Sequence, residues 1–455
     1  MGVRNVALLS ALAGLTLLAA VSCSKSPRSD DPDTPATAPP EIEAGIFVIG
    51  NDRGMIRPCG CSKPVLGGIE RRAAFFKDLP ATTRSASVIL SGGDLILDGG
   101  RQQELKLEAF LQARDALGVV AHFISDGDLQ VGARFWEDQL SLRQGVGMAL
   151  VCANLTRHGE RLFASHAVAQ FRGRSLILSG FIAPDDNSLT EPGLKAELEP
   201  DVSSILQALE ASPEAALVLY FSGSPDGAAD WARRFGLLEA AKGGALILVP
   251  GIADIPVPAR GTKIPVFEMG RKGRDVARFD GVRATDLQRF TLTEDRGIDP
   301  HAADILSFYR DNVAFEDLIT MVPKLGQAES GYVGSETCSA CHQPAYETWK
   351  TSRHALAWET LERSGDQKDP ECVRCHVVDF DLVGGFDPAT ASPHDVQCEA
   401  CHGPGESHVR SEGKSPTPRG EFVPRQCLGC HDIENSPNFK YESYWPKIEH
   451  GLDPK

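Results

Sequence analysis

From residue 45 to about 295, short apolar runs alternate with amphipathic stretches. Residues 46–49, 87–90, 148–151, 175–178, 216–220 and 245–249 are apolar almost throughout, the pattern of strands buried on both faces. Between them, 68–79, 104–117, 133–142, 202–209 and 228–240 carry apolar positions at helical spacing. Strands alternating with helices predict an α/β domain with a largely parallel sheet. One more helical stretch, from 302 to about 321, predicts a connector within 296–330. Beyond Gly331 the pattern changes. Cys, His, Pro and Gly dominate, apolar periodicity fades and no strand is expected. A segment of that kind needs bound groups to supply the core its side chains do not.

The first residues form a different pattern. Arg4 precedes an apolar run from Val6 to Val21, of signal-peptide length and short for a membrane span. It ends in small residues directly before Cys23, as in a bacterial lipoprotein signal, with Ala20 where leucine is usual. Residues 1–22 are thus expected to be a lipoprotein-type signal, with Cys23 lipidated; plain cleavage with Cys23 incidental is the alternative. Either way the protein is expected outside the cytoplasm, periplasmic or held to the outer membrane by lipid alone. Ser24 agrees with outer-membrane sorting. Residues 23–44, rich in Pro, Ser, Thr and Asp, read as a disordered linker.

The net charge of −16 excludes nucleic acid and anionic membrane surfaces as natural partners and favours basic or neutral proteins. The 12 cysteines are more informative. Eight of them form four Cys-x-x-Cys pairs, each followed at once by histidine: Cys338, Cys341 and His342; Cys372, Cys375 and His376; Cys398, Cys401 and His402; Cys427, Cys430 and His431. Two thiols at this spacing add to the two vinyl groups of one porphyrin, and the next residue offers an imidazole to its iron. Zinc also takes paired cysteines, but does not need a histidine after every second one. Four c-type haems are therefore expected in 331–455. Four further histidines in this region, His354, His394, His408 and His450, are candidates for the second axial position of each iron.

The stretch 338–361, followed by the second and third motifs, resembles the cytochrome c-554 family of tetrahaem electron carriers over roughly 331–410. The resemblance implies a mainly helical, haem-packed domain with three irons held by two histidines and one held by a single histidine. Carried over by position, His408 serves the first haem, His354 the third and His450 the fourth, which leaves the iron on His376 open. His394 has no counterpart in that pattern and is the candidate to close it.

The α/β region resembles the metallophosphoesterase domain of the 5′-nucleotidase family. Asn51-Asp52-Arg53-Gly54 stands at its first metal motif, Gly67 to Arg72 at the following helix start, Gly92-Gly93-Asp94 at its second motif and Cys152-Ala153-Asn154 at a later strand end. That chemistry uses two metal ions held by aspartates, histidines and an asparagine. Here Asp52, Asp94 and Asp128 survive while the motif histidines do not: Gly127-Asp128-Leu129, Phe221-Ser222-Gly223 and Pro250-Gly251-Ile252 stand in their places. His122, His158 and His166 lie off the motifs and read as ordinary packed or surface histidines. The expectation is a metallophosphoesterase fold over 45–295 without its hydrolase site. Cys59 and Cys61, in a Gly- and Pro-rich loop after the first strand, are too close for a relaxed mutual disulfide. They read as a disulfide from one of them to Cys152, or as a redox or soft-metal thiol pair.

The leading functional expectation is an electron carrier with unknown protein donors and acceptors. The others are an oxidoreductase acting at an open iron on His376, a hydrolase fused to a cytochrome, and an α/β domain that only binds.

Overall fold

The computed structural model describes residues 42–451 apart from 59–63, 144–146, 185–188, 190, 253–254, 262–263, 420–423, 433–434 and 437. Cys23, Cys59 and Cys61 lie outside the described residues.

Four parallel strands form the centre of a first sheet: β1 (Ile46–Ile49), β2 (Val88–Ser91), β3 (Ala121–Phe123) and β4 (Ala149–Val151). Asp275–Phe279 and Gln288–Thr291 extend it antiparallel on the β1 side, giving six strands. Helices α1 (Ile69–Asp78), α2 (Ala81–Ser85) and α3 (Arg101–Ala116) make the crossovers from β1 to β2 and from β2 to β3. A second six-stranded sheet holds Arg174–Ile182, Ala216–Ser222, Ala245–Pro250 and Val266–Met269 in parallel, with an antiparallel strand at each edge. The α/β region thus builds two six-stranded sheets, with a small three-stranded sheet beside them, where the alternation of strands and helices predicts one.

Strand periodicity explains how they stack. Ile46, Val48, Leu90 and Phe123 of the first sheet meet Leu178, Val218, Tyr220 and Leu248 of the second in one buried core. The alternate residues of the second sheet, Leu217, Leu219 and Ile247, face outward onto the helices that carry Leu209 and Trp231. On the far side of the first sheet, Phe47 meets Phe75 and Phe76 of α1 edge-on. The result is a helix–sheet–sheet–helix sandwich, the layered α/β class expected, and its inner strands read as continuous apolar runs because both faces are covered.

The connector helix Pro300–Phe315 begins at Asp299, whose carboxylate accepts the Ala302 N–H at 3.0 Å, with proline in the first turn. It packs against α1 and α3. Beyond it the chain is short helices and turns, with a single two-residue strand pairing to Gly326–Gln327. A small apolar cluster does form there, around Leu361, Val373, Val377, Phe380 and Phe386. It surrounds the second Cys-x-x-Cys-His motif, so this region is less dependent on bound groups at that one place than its composition suggests.

Candidate functional site

Each motif is close to one helical turn, which brings the two thiols and the imidazole to one side of the chain. The His342 N–H donates to the Cys338 carbonyl at 2.9 Å and the His431 N–H to that of Cys427 at 2.8 Å, while Cys398–His402 is a helix outright. The third motif is tied to the first by a buried carboxylate. Glu399 accepts the N–H groups of Val333 at 3.0 Å, Gly334 at 2.8 Å and Gly405 at 2.7 Å. Thiols from different motifs also meet: Cys338 lies against Cys398, and Cys375 against Cys430.

The histidines fall into pairs from distant parts of the chain. Ring centres of His342 and His408 are 6.1 Å apart, those of His354 and His431 6.2 Å, and those of His402 and His450 5.9 Å. An iron bound by imidazole on both faces holds two ring centres about 6 Å apart, from two metal–nitrogen bonds of about 2 Å plus the reach to each ring centre. The three pairs fit that spacing. Protonation fits as well. The Nδ1 atoms of His376, His408 and His450 each face a backbone carbonyl, of Ala357 at 2.6 Å, Ser415 at 2.7 Å and Ile448 at 3.0 Å. A carbonyl only accepts, so Nδ1 carries the proton and Nε2 keeps the lone pair a metal needs. Burial, then the neighbouring His431, lowers the His354 pKa; burial, then His450, does the same for His402. Both rings are held neutral.

The pairing differs from one expectation. Family resemblance gives His354 to the third motif and His450 to the fourth; the structure exchanges them. His408 stands against His342. Among the described residues no second imidazole stands across from His376. His394 is half exposed, stacks on Trp358 with ring centres 6.0 Å apart and bonds Asp395 at 2.9 Å. Its backbone pairs antiparallel with Val377, the residue after the second motif.

In the α/β region, Asp52, Asp94 and Asp128 follow β1, β2 and β3 at their carboxyl ends, where such sheets carry their sites. Backbone strain collects there too: Asn51, Arg53 and Asp94 hold φ of 51°, 52° and 54°. Asp52 is wholly buried between two guanidinium groups. Arg72 reaches one oxygen at 2.5 Å and Arg114 bonds the other. Burial alone would raise the Asp52 pKa; the two arginines overcome it and hold it below the ordinary value. Arg72 also donates to the Gly273 carbonyl at 3.1 Å, and a Cβ on Gly273 would lie 2.1 Å from the guanidinium, so glycine is needed there. From Arg114 a buried chain continues through Ser91 at 2.7 Å to His122 Nδ1 at 3.0 Å, and His122 Nε2 stands 3.5 Å from Asp128 without a hydrogen bond. His122 is packed, fully buried and stacked on Trp136 with ring centres 6.3 Å apart, and also bonds at the strand ends. Neither Arg72 nor Arg114 was singled out in the sequence as a partner of Asp52. Arg72 closes the Gly67–Arg72 motif, the one signal that pointed to it. Among the described residues, no three Cys, His, Asp or Glu side chains converge in a way that could hold a metal ion.

Asp94 is pushed up to about 7 by burial and by the neighbouring Asp128 and Asp126. A carboxyl whose folded pKa exceeds its ordinary 3.8 contributes stability at acid pH that is lost as pH rises through about 7, at most about 4 kcal/mol. Asp94→Asn is therefore expected to be more stable than wild type at pH 8 and to show a flatter stability curve between about pH 4 and pH 8. Denaturation midpoints across that range check it, and a variant keeping the wild-type slope would place the proton elsewhere. Cys152 is a buried free thiol whose pKa burial pushes up to about 12; Cys59 and Cys61, its expected partners, lie outside the described residues.

Residues 337–403 match the family described as cytochrome c554 and c-prime. Cytochrome c-554 of Nitrosomonas europaea is 29% identical to this chain, over 27% of this chain and 68% of its own length. Among solved structures, the sulfate thiohydrolase SoxB of Thermus thermophilus is similar at 16% identity and a TM-score of 0.47, covering 69% of this chain and 68% of its own. A 5′-nucleotidase precursor from the same organism gives 16% and 0.47, covering 71% and 68%. A calcineurin-like phosphoesterase from Bacillus subtilis gives 13% and 0.45, covering 60% and 98%. These are likenesses of fold. The C-terminal part of this chain is a cytochrome c554-type domain.

Proposed function

We propose that the chain is an exported four-haem electron carrier whose α/β region, 45–295, has no hydrolase activity and is joined through 296–330 to a cytochrome domain at 331–455. A cytochrome c554-type domain implies c-type haems and electron transfer, and c-type haem is attached outside the cytoplasm. The observation that carries the finer reading is the set of three imidazole pairs beside a fourth, solitary motif histidine.

In this reading the eight motif cysteines hold four haems covalently, and His342, His376, His402 and His431 ligate their irons. His408, His450 and His354 complete the first, third and fourth. When bound, haem supplies one-electron redox chemistry at a potential set by its ligands and surroundings. Cys338 beside Cys398, and Cys375 beside Cys430, draw the attachment points into two close pairs. Nδ1–H bonds to backbone carbonyls keep the rings of His376, His408 and His450 in the ligating tautomer. The donor and acceptor are redox proteins, and Cys23 carries a lipid that holds the chain to a membrane face. No helix among the described residues is long and apolar enough to cross a membrane.

The Arg72–Asp52–Arg114 cluster supports the absence of hydrolysis, since two fixed cations occupy both oxygens of the aspartate at the first metal motif. A second reading, an oxidoreductase, is favoured by one observation: His376 faces no second imidazole among the described residues. The test of both is the optical and EPR spectrum of the haem-loaded protein with and without carbon monoxide. Four haems are expected, three low-spin and one high-spin that binds carbon monoxide, with no phosphate-ester turnover on adding manganese. Four low-spin haems would mean that another residue closes the second site, and turnover would restore the hydrolase.

A further inference from the structure

The α/β region reaches into the cytochrome region at the second motif. Arg57, in the loop after β1, places Nη2 3.6 Å from Cys372 Sγ and pairs with the buried Asp366. Lys106, on α3, pairs with Glu371, one residue before that cysteine. Its side chain is only 4% exposed, while that of Glu371 is 46% exposed. Gln102 and Tyr309 bond Asp369 at 2.7 and 3.1 Å, and Arg310 bonds Asp366 at 3.1 Å.

Three cations thus face three carboxylates around one haem-attachment turn, all but one of the carboxylates buried. Water screens Glu371 and does not screen Lys106, so the ammonium is felt more strongly at the attachment edge than its counter-charge. Burial works against the charge on Lys106, but Glu371 and then Asp369 outweigh it and raise the pKa. The cation is permanent at working pH.

We propose that the α/β region sets the redox potential of the second haem, with Lys106 and Arg57 as the residues that hold it up. This rests on the four-haem reading above. A fixed positive charge in a water-poor setting favours the reduced, less positive form of a nearby iron, and burial and charge are among the levers a protein has on a haem potential. The role also gives the α/β region a reason to be fused to a cytochrome, since its own cluster at Asp52 is closed.

The experiment is a redox titration of the full, haem-loaded chain, followed by optical and EPR spectra that separate the high-spin haem from the low-spin ones. Lys106→Met is expected to lower the midpoint of the high-spin haem well beyond any change in the other three. The shift should persist at high salt, because the charge is buried. Lys106→Arg should restore the wild-type value, and Arg101→Gln, a change on the same helix at an exposed ion pair with Glu316, should leave all four unchanged. Arg57→Gln reads the same midpoint from a more exposed side chain, should Lys106→Met fail to fold. An unchanged high-spin midpoint, or four midpoints that move together, overturns the proposal. Fewer than four haems in the wild type, by pyridine haemochrome count, would instead overturn the reading beneath it.

Discussion

Asp52→Ala is expected to destabilise the α/β region by about 3–5 kcal/mol, read as a lower denaturation midpoint in far-UV circular dichroism. The magnitude follows from what the substitution leaves behind. Arg72 and Arg114 are both buried and both aim at this carboxylate. Without it, two guanidinium groups face each other in a site closed to water, and their remaining partners do not neutralise them. Those partners are the Gly273 and Phe110 carbonyls and the Ser91 hydroxyl. Removing one member of a buried charge cluster costs far more than the intact cluster contributes, because the desolvation of the others is left without compensation. Asp52→Asn keeps the shape and two hydrogen-bonding atoms but not the charge, and should fall between alanine and wild type. A loss below about 1 kcal/mol for alanine would mean that the arginines turn to other partners and that the cluster does not hold the strand ends together.

His354→Ala is expected to convert one low-spin haem to high-spin, giving two high-spin and two low-spin centres where one and three are expected in the wild type. His354 is the imidazole across from His431, 6.2 Å between ring centres, and no other described histidine stands on that side. Its loss should leave the fourth haem attached through Cys427 and Cys430, so the haem count stays at four while the spin state changes. The separation of count from spin state is what distinguishes a lost ligand from a lost fold. If the variant keeps the wild-type count of three low-spin haems and one high-spin, His354 is not an axial ligand. If the third haem changes instead of the fourth, the exchanged pairing seen in the structure is wrong and the order implied by family resemblance stands.

How much of this could be read beforehand depends on how local each feature is. The four attachment motifs were legible in full, because the chemistry acts within five consecutive residues. The strands at 46–49, 216–220 and 245–249 were legible because burial on both faces leaves a continuous apolar run. Ala121–Phe123 was not, since it is three residues long with a buried histidine at its centre. That His354, His408 and His450 each stand beside a motif histidine could be suspected by counting histidines against motifs, but not which motif His354 and His450 meet. Partnership joins residues far apart in the chain and is fixed only by packing. Counting also brought in His394, whose backbone bridge to Val377 no spacing reveals. Arg72 and Arg114 were passed over for a different reason: charged residues on helices usually face solvent, and these two face inward to a buried carboxylate.

The three histidine pairs have a consequence for how the cytochrome region comes apart. Their spans, 342 to 408, 354 to 431 and 402 to 450, overlap without any one enclosing another, so the chain is laced rather than beaded. If these pairs ligate iron as proposed, no stretch between consecutive motifs owns a complete site, and removing His450 would open the third site while the fourth stayed closed. In such a region the loss of one segment would be felt at an iron attached to a distant part of the chain.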